Sequence, residues 1–278
     1  MGLVASKGTA AASGIWTLRD MRDYCATGKW PGSGGSTPPA APPGGDPLYS
    51  QVRALYHLDA EINSSGSLEY IDTSNYGVRL RNAGGASFVT NVSKFGGGSV
   101  LFPYATSTAY LFSTASTSAI APATLYSIGT ADNFTLEAWI FAISQTTQRL
   151  TMITNCDTSV TSQRGFALYL QYFLYWGFNS GSATLSASMP YSQWTHIAVS
   201  RAGGIVRLFV DGVQQSSASD SSSYAGDAYT LLFGGGPGAG GFGGWIDECR
   251  LTIGDSLSGA GRYTANFTPP TAPFQDSL

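Results

Sequence analysis

The chain has 278 residues, 43% of them hydrophobic and only 11% charged, with 14 Lys and Arg against 17 Asp and Glu. The length suits one large all-β domain or two smaller ones, and no Lys/Arg cluster offers the phosphate-tracking surface of a nucleic-acid binder. No apolar run approaches the ~18 residues of a membrane span, and the opening MGLVASKGTA has no apolar signal core. Gly2 and Ser6 fit a myristoylation pattern, but one short enough to match often by chance. Many Gly, Tyr, Phe, Ser and Thr suggest short strands joined by tight turns.

Residues 1–31 form a unit of their own. In SGIWTLRDMRDYCATGKWP, Thr17 and Asp20 make a capping-box-like start. Leu18, Met21 and Cys25 follow at near-helical spacing, and Gly28 supplies a stop. A helix this short does not persist alone in water, and Trp16 and Trp30 add more apolar surface than it can cover. It either folds back on its own domain or docks on another protein. Docking is the expectation, with Trp16, Leu18, Met21, Trp30 and Pro31 as the interface anchors. Residues 32–50, within and after PGSGGSTPPAAPPGGDP, read as a linker stiffened by proline and loosened at both ends by glycine.

From residue 51 to 278 the chain is a series of strands. VRALYHLDAE, YGVRLRNAG, GSVLFP and TAYLFS alternate in part. FTLEAWIFAI puts Phe134, Leu136, Ala138 and Ile140 on one face and Glu137, Trp139 and Phe141 on the other. GFALYLQYFLYWGFN reads as two strands reversing near Tyr172, and QWTHIAVSR turns through AGG into IVRLFVDG, where Asp211-Gly212 signals a hairpin. YTLLFGGG and GGWIDECRLTIG close the series. Turn signals every 8 to 15 residues indicate an all-β, antiparallel two-sheet sandwich with Trp139, Phe209, Trp245 and Leu251 in or beside its core. The final GRYTANFTPPTAPF is an extended strap whose apolar anchors are Tyr263, Phe267 and Phe274.

Taken in order, LYHLD, SKFGGGSVLF, FTLEAWI, WTHIAVSRAGGIVRLFVDG and GGWIDECRLTIG resemble the laminin-G-like, concanavalin-A-like jelly-roll family, over residues 51 to 274. The closing RYTANFTPP looks like the version of this domain in bacteriophage structural proteins, where the last segment packs across the sandwich. The front SGIWTLRDM…GKWP is similar to a short element of phage virion and tail-associated proteins. The resemblance implies a non-enzymatic virion protein, a capsid decoration or a tail fibre, assembled in the host cytoplasm. Its partners would be capsid or tail proteins and sister subunits, with a trimer as the first expectation.

Related glycoside hydrolases carry Glu-x-Asp-x-x-Glu on one strand, which brings acid and nucleophile together; this chain has no such pattern. Glu137 stands alone on its strand, and Asp247 and Glu248, as neighbours, are expected to face opposite ways. His57 and His196 have no nucleophile elbow near them, and Cys25, Cys156 and Cys249 are too scattered for a zinc site and read as buried thiols. GGGPGAGGFGG lacks the Lys-Ser/Thr of a phosphate loop and reads as a strand connection. No cofactor is expected apart from calcium, which relatives hold on the sandwich rim; Asp59, Asp72, Asp157 and Asp247 are the available carboxylates. For a host-surface glycan, Trp176, Asn179 and Tyr191 are the candidate contacts. A freestanding lectin is the alternative reading, and a glycan-cleaving enzyme the third.

Overall fold

The structure, a computed structural model, describes residues 45–62, 68–104, 109–113, 125–143, 150–155, 165–178, 183–225, 231–235 and 240–277. The helix and anchors expected in residues 1–31, most of the linker, Asn179 and Asp157 lie outside the described residues. A 3-10 turn at Tyr49–Gln51 leads into β1 (Val52–Ile62), β2 (Leu68–Asp72), β3 (Leu80–Ala83), β4 (Ser87–Val89), β5 (Ser99–Phe102) and β6 (Tyr110–Ser113). β7 (Asn133–Ala142), β8 (Leu150–Thr154), β9 (Phe166–Gln171), β10 (Phe173–Phe178) and β11 (Ala183–Ala187) follow. The series ends with β12 (Trp194–Ala202), β13 (Ile205–Val210), β14 (Val213–Ser219), β15 (Leu232–Phe233), β16 (Gly240–Gly241) and β17 (Gly244–Gly254). No helix among the described residues is long and apolar enough to cross a membrane.

Two layers face each other. In the back layer β17 pairs with β7 on one flank and with β5 and then β1 on the other. β4 extends it beyond β5, and β12, β13 and β14 extend it beyond β7. The front layer runs β3, β6, β15, β8, β9, β10, β11, and β2 joins the layers by pairing with both β1 and β3. Every pairing is antiparallel except that of β16 with β8. One apolar core fills the space between the layers. The structure is thus the antiparallel sandwich that the strand pattern indicates.

Period-two alternation decides which side chains enter that core. Phe134, Leu136, Ala138 and Ile140 of β7 point in, while Glu137 and Trp139 are buried on the outer side of the same strand. The turns follow their residue types: Gly203 and Gly204 (φ 59° and 74°) reverse β12 into β13, and Asp211 and Gly212 (φ 49° and 75°) reverse β13 into β14. Gly212 could not be replaced, because a Cβ there would lie 2.0 Å from the carbonyl oxygen of Phe267.

That contact belongs to the strap. Residues 261–274 cross the outer face of the back layer, where Tyr263 and Phe267 stack on each other at 3.6 Å and Phe267 meets Phe209 and His196 edge to face. Phe274 closes a second small cluster with Val52, Leu55 and Tyr49. Trp139, Phe209 and Leu251 are buried and Trp245 is half-buried, as the sequence indicates, but Trp139 and Phe209 lie outside the main core, on this outer face.

Two expectations are corrected. Asp247 and Glu248 do not face opposite ways: Asp247 pairs with Trp139 and Cys249 with Ala138, so Glu248 is the extra residue of a β-bulge. With φ at 50°, Glu248 breaks the alternation, and its carboxylate accepts from the Phe274 amide of the strap and meets His57 on the outer side. The second correction concerns Trp176, which is 0% exposed. Its ring stacks on Phe134 (5.5 Å) and Phe166 (5.0 Å), and its indole N–H donates to the Tyr224 hydroxyl. Trp176 shares parity with the inward-facing Leu174, so no sugar face can reach it.

Candidate functional site

The polar groups beneath the strap form a closed network. Glu137 Oε1 accepts from Arg250 Nε (3.0 Å) and Nη2 (2.7 Å), and Oε2 accepts from the Tyr263 hydroxyl (2.8 Å). His196 Nε2 lies 3.3 Å from the same oxygen. Arg262 makes a two-pronged contact to Asp46, which also accepts from Arg250 Nη1. Burial alone would raise the Glu137 pKa, but Arg250, His196 and Arg262 outweigh it and hold the carboxyl well below the usual range. Glu137 is fully engaged and enclosed, which suits a framework residue and leaves no oxygen for a substrate.

Of the carboxylates named for calcium, the three among the described residues, Asp59, Asp72 and Asp247, do not converge as a calcium cage. Asp72 accepts from the amides of Leu55, Ser74 and Val78 and from the Ser74 hydroxyl, deep in the fold. Asp59 and Asp247 converge on one glycine-rich stretch: Asp247 Oδ2 accepts from the Lys94 and Phe95 amides, and Asp59 Oδ1 from the Gly97 amide. Ca²⁺ takes six to eight oxygens, whereas the described residues contain no group of three or more His, Cys, Asp or Glu able to hold a metal ion. The carboxylates here tie a loop to the sheet. Burial, and then the nearby Glu248 charge, push the Asp247 pKa up to about 8. Cys249 is a buried free thiol, as expected.

The exposed chemistry lies at the opposite side, on the β9–β10 hairpin. Leu168, Leu170, Leu174 and Trp176 point into the core, so Tyr169, Gln171, Phe173 and Tyr175 share the outer face. Tyr169 and Tyr175 stack at 5.2 Å, and Phe173 meets Tyr175 edge to face. Tyr172 turns the hairpin with φ at 60°. The tip is open, with Tyr172 53% and Phe173 48% exposed. Beside it is a hollow of about 320 Å³ lined by Tyr172, Phe173, Tyr175, Ser188 and Met189. Such a surface offers apolar ring faces and hydroxyls together, which is what a sugar presents in return.

Of the sequence-derived contacts, Trp176 is excluded by burial, and Tyr191 is half-buried, donating its hydroxyl to the Tyr172 carbonyl (3.4 Å) at the back of the hairpin tip. Residue type alone does not single out Phe173 and Tyr175, but the even-numbered run Leu168, Leu170, Leu174, Trp176 assigns them to the outside, while Tyr172 is open because it turns the hairpin.

Comparison with known proteins agrees with this architecture. The concanavalin A-like lectin/glucanases superfamily profile for laminin-G-type domains matches residues 112–253. No curated protein sequence matches the chain. Among solved structures, the chain is similar to domain 4 of AbnA, a GH43 extracellular arabinanase from Geobacillus stearothermophilus, in complex with arabinotriose. Identity there is 18% and the TM-score 0.51, over 74% of this chain and 93% of that one. It is also similar to the receptor binding domain of botulinum neurotoxin D, at 14% identity and TM-score 0.53, over 76% of this chain. The serotype D ligand binding domain in complex with N-acetylneuraminic acid gives 13% and 0.52, over 76% of this chain. The chain spans about half of these neurotoxin chains, 51% and 49%. At such identities the structural likenesses show the fold alone, while the profile match covers half of the sequence: the chain belongs to the concanavalin A-like lectin/glucanases superfamily.

Proposed function

We propose that this protein is a non-enzymatic structural component of a bacteriophage particle that displays its lectin-like sandwich toward host-surface glycans. The observation that carries the glycan reading is the pair of open aromatics, Tyr172 and Phe173, standing beside a hollow at a hairpin tip, where their rings take no part in the core. Two structures of similar fold were solved with saccharides, arabinotriose in one and N-acetylneuraminic acid in the other, which supports such a use of the sandwich. The phage setting is supported by the front segment and the closing strap, whose sequences resemble virion proteins. The partners in that setting are capsid or tail proteins and sister copies in a trimer, with no nucleic acid or membrane insertion and no cofactor apart from calcium. The absence of catalysis is supported by the engagement of Glu137, Asp247 and Glu248 in the framework, away from the hollow.

The test is binding of host-envelope polysaccharide by wild type and by Phe173→Ala. Losing a ring that packs on a sugar at the centre of a site should weaken binding about tenfold or more. Thermal unfolding should stay unchanged, because Phe173 is half open to solvent. Undiminished binding by the variant would remove the hairpin from glycan recognition.

A further inference from the structure

Resting on that reading, we infer that the hollow selects uncharged glycans and holds no more than one or two sugar units. None of its five lining residues, Tyr172, Phe173, Tyr175, Ser188 and Met189, carries a charge at neutral pH. The buried arginines are committed elsewhere: Arg201 to Asp220, Arg250 to Glu137 and Asp46, and Arg262 to Asp46. Among the described residues the lining offers no cation, so a sugar carboxylate set against it would give up water for nothing in return, which is costly. A neutral sugar gives up much less. Its C–H face packs on the Phe173 and Tyr172 rings, and its hydroxyls can exchange hydrogen bonds with the Ser188 hydroxyl and the tyrosine O–H groups, each both donor and acceptor.

The size limit comes from the volume. At about 320 Å³ the hollow lies at the small end of ligand sites, and Gln171 and Ser188 beside it are exposed, so further units of a longer chain project into solvent. Stacking and neutral hydrogen bonds also lack the salt dependence of a charge-steered site.

The experiment titrates the full chain with neutral gluco- and galacto-oligosaccharides of one to four units, their uronic acid counterparts, and a sialylated oligosaccharide. Titrations are run at about 0.05 M and about 0.5 M NaCl. The expected result is at least tenfold preference for the neutral sugars, affinity rising from one unit to two and then level, and no weakening in high salt. Each preferred ligand is repeated with Phe173→Ala. Binding lost in that variant but strongest for the acidic sugars, or strongly weakened by salt, overturns the selectivity while leaving the glycan site in place. Affinity that keeps rising to four units overturns the size limit. If no sugar in the panel binds, or if binding survives Phe173→Ala, the glycan reading itself falls.

Discussion

Asp247 carries the sharpest consequence at the level of single residues. Its Oδ2 accepts two backbone amides, while Oδ1 is buried with no hydrogen-bond partner. With its pKa raised to about 8, the folded state holds a proton here that the unfolded chain releases near the ordinary aspartate value of 3.8. Stability from this group is therefore fully present below about pH 4 and is lost as pH rises toward 8. Glu137 acts in the other direction: its pKa is lowered, so its contribution is present above the usual 4.5 and is lost in acid. Asp247→Asn mimics the protonated form, so melting curves from pH 5 to pH 9 should be flatter for the variant. At pH 9 the variant should melt higher than wild type by roughly 2–4 °C for each ~1 kcal/mol recovered. A wild-type melting temperature that rises between pH 6 and pH 9 in parallel with the variant's would contradict the assignment.

Among the elements, the strap has the largest energetic role. Phe274 is 4% exposed, lies 4.3 Å beneath the Arg250 guanidinium, and packs with Val52 and Leu55. Truncating it leaves a cavity and uncovers an arginine held by two carboxylates, so Phe274→Ala should cost about 3–5 kcal/mol in chemical denaturation. Phe173→Ala, on the open hairpin, should cost far less in the same measurement. Much of this element was legible in the sequence, because a proline-bearing stretch with aromatics at Tyr263, Phe267 and Phe274 can only lie extended over something apolar. The alternation that sends Phe134, Leu136, Ala138 and Ile140 inward was legible for the same reason of local chemistry. Glu248 was not: a bulge depends on the partner strand skipping a residue, and nothing near Asp247 and Glu248 marks it. Trp176 has the residue type of a sugar platform, but its place in the alternation with Leu168, Leu170 and Leu174 sends it inward.

For the whole molecule, the division into a front segment, a linker and a sandwich that the sequence suggests would make attachment and folding separable. The described sandwich closes its own outer face with the strap, so it does not need Trp16 or Trp30 as cover. Trp16→Ala/Trp30→Ala should therefore leave thermal unfolding of the sandwich unchanged, and, on the proposed virion role, should abolish recovery of the protein in purified particles. Full incorporation of the double variant, or a sandwich that melts along with the loss, would refute the anchor role. The point where the linker meets the sandwich bears on this arrangement. Asp46 is gripped by Arg262 through both carboxylate oxygens and by Arg250, and its amide donates to the Ser277 carbonyl. Arg250 sits on β17, which is paired with β7 along its whole length from Gly244 to Gly254. If the sandwich holds a cell while the front segment holds a particle, mechanical load enters at this junction. It would reach two arginines backed by the most extensively paired strand before it could peel β1 from the sheet. The ion pairs at Asp46 then act as a strain relief, protecting the first strand from forces that the fold meets only under tension.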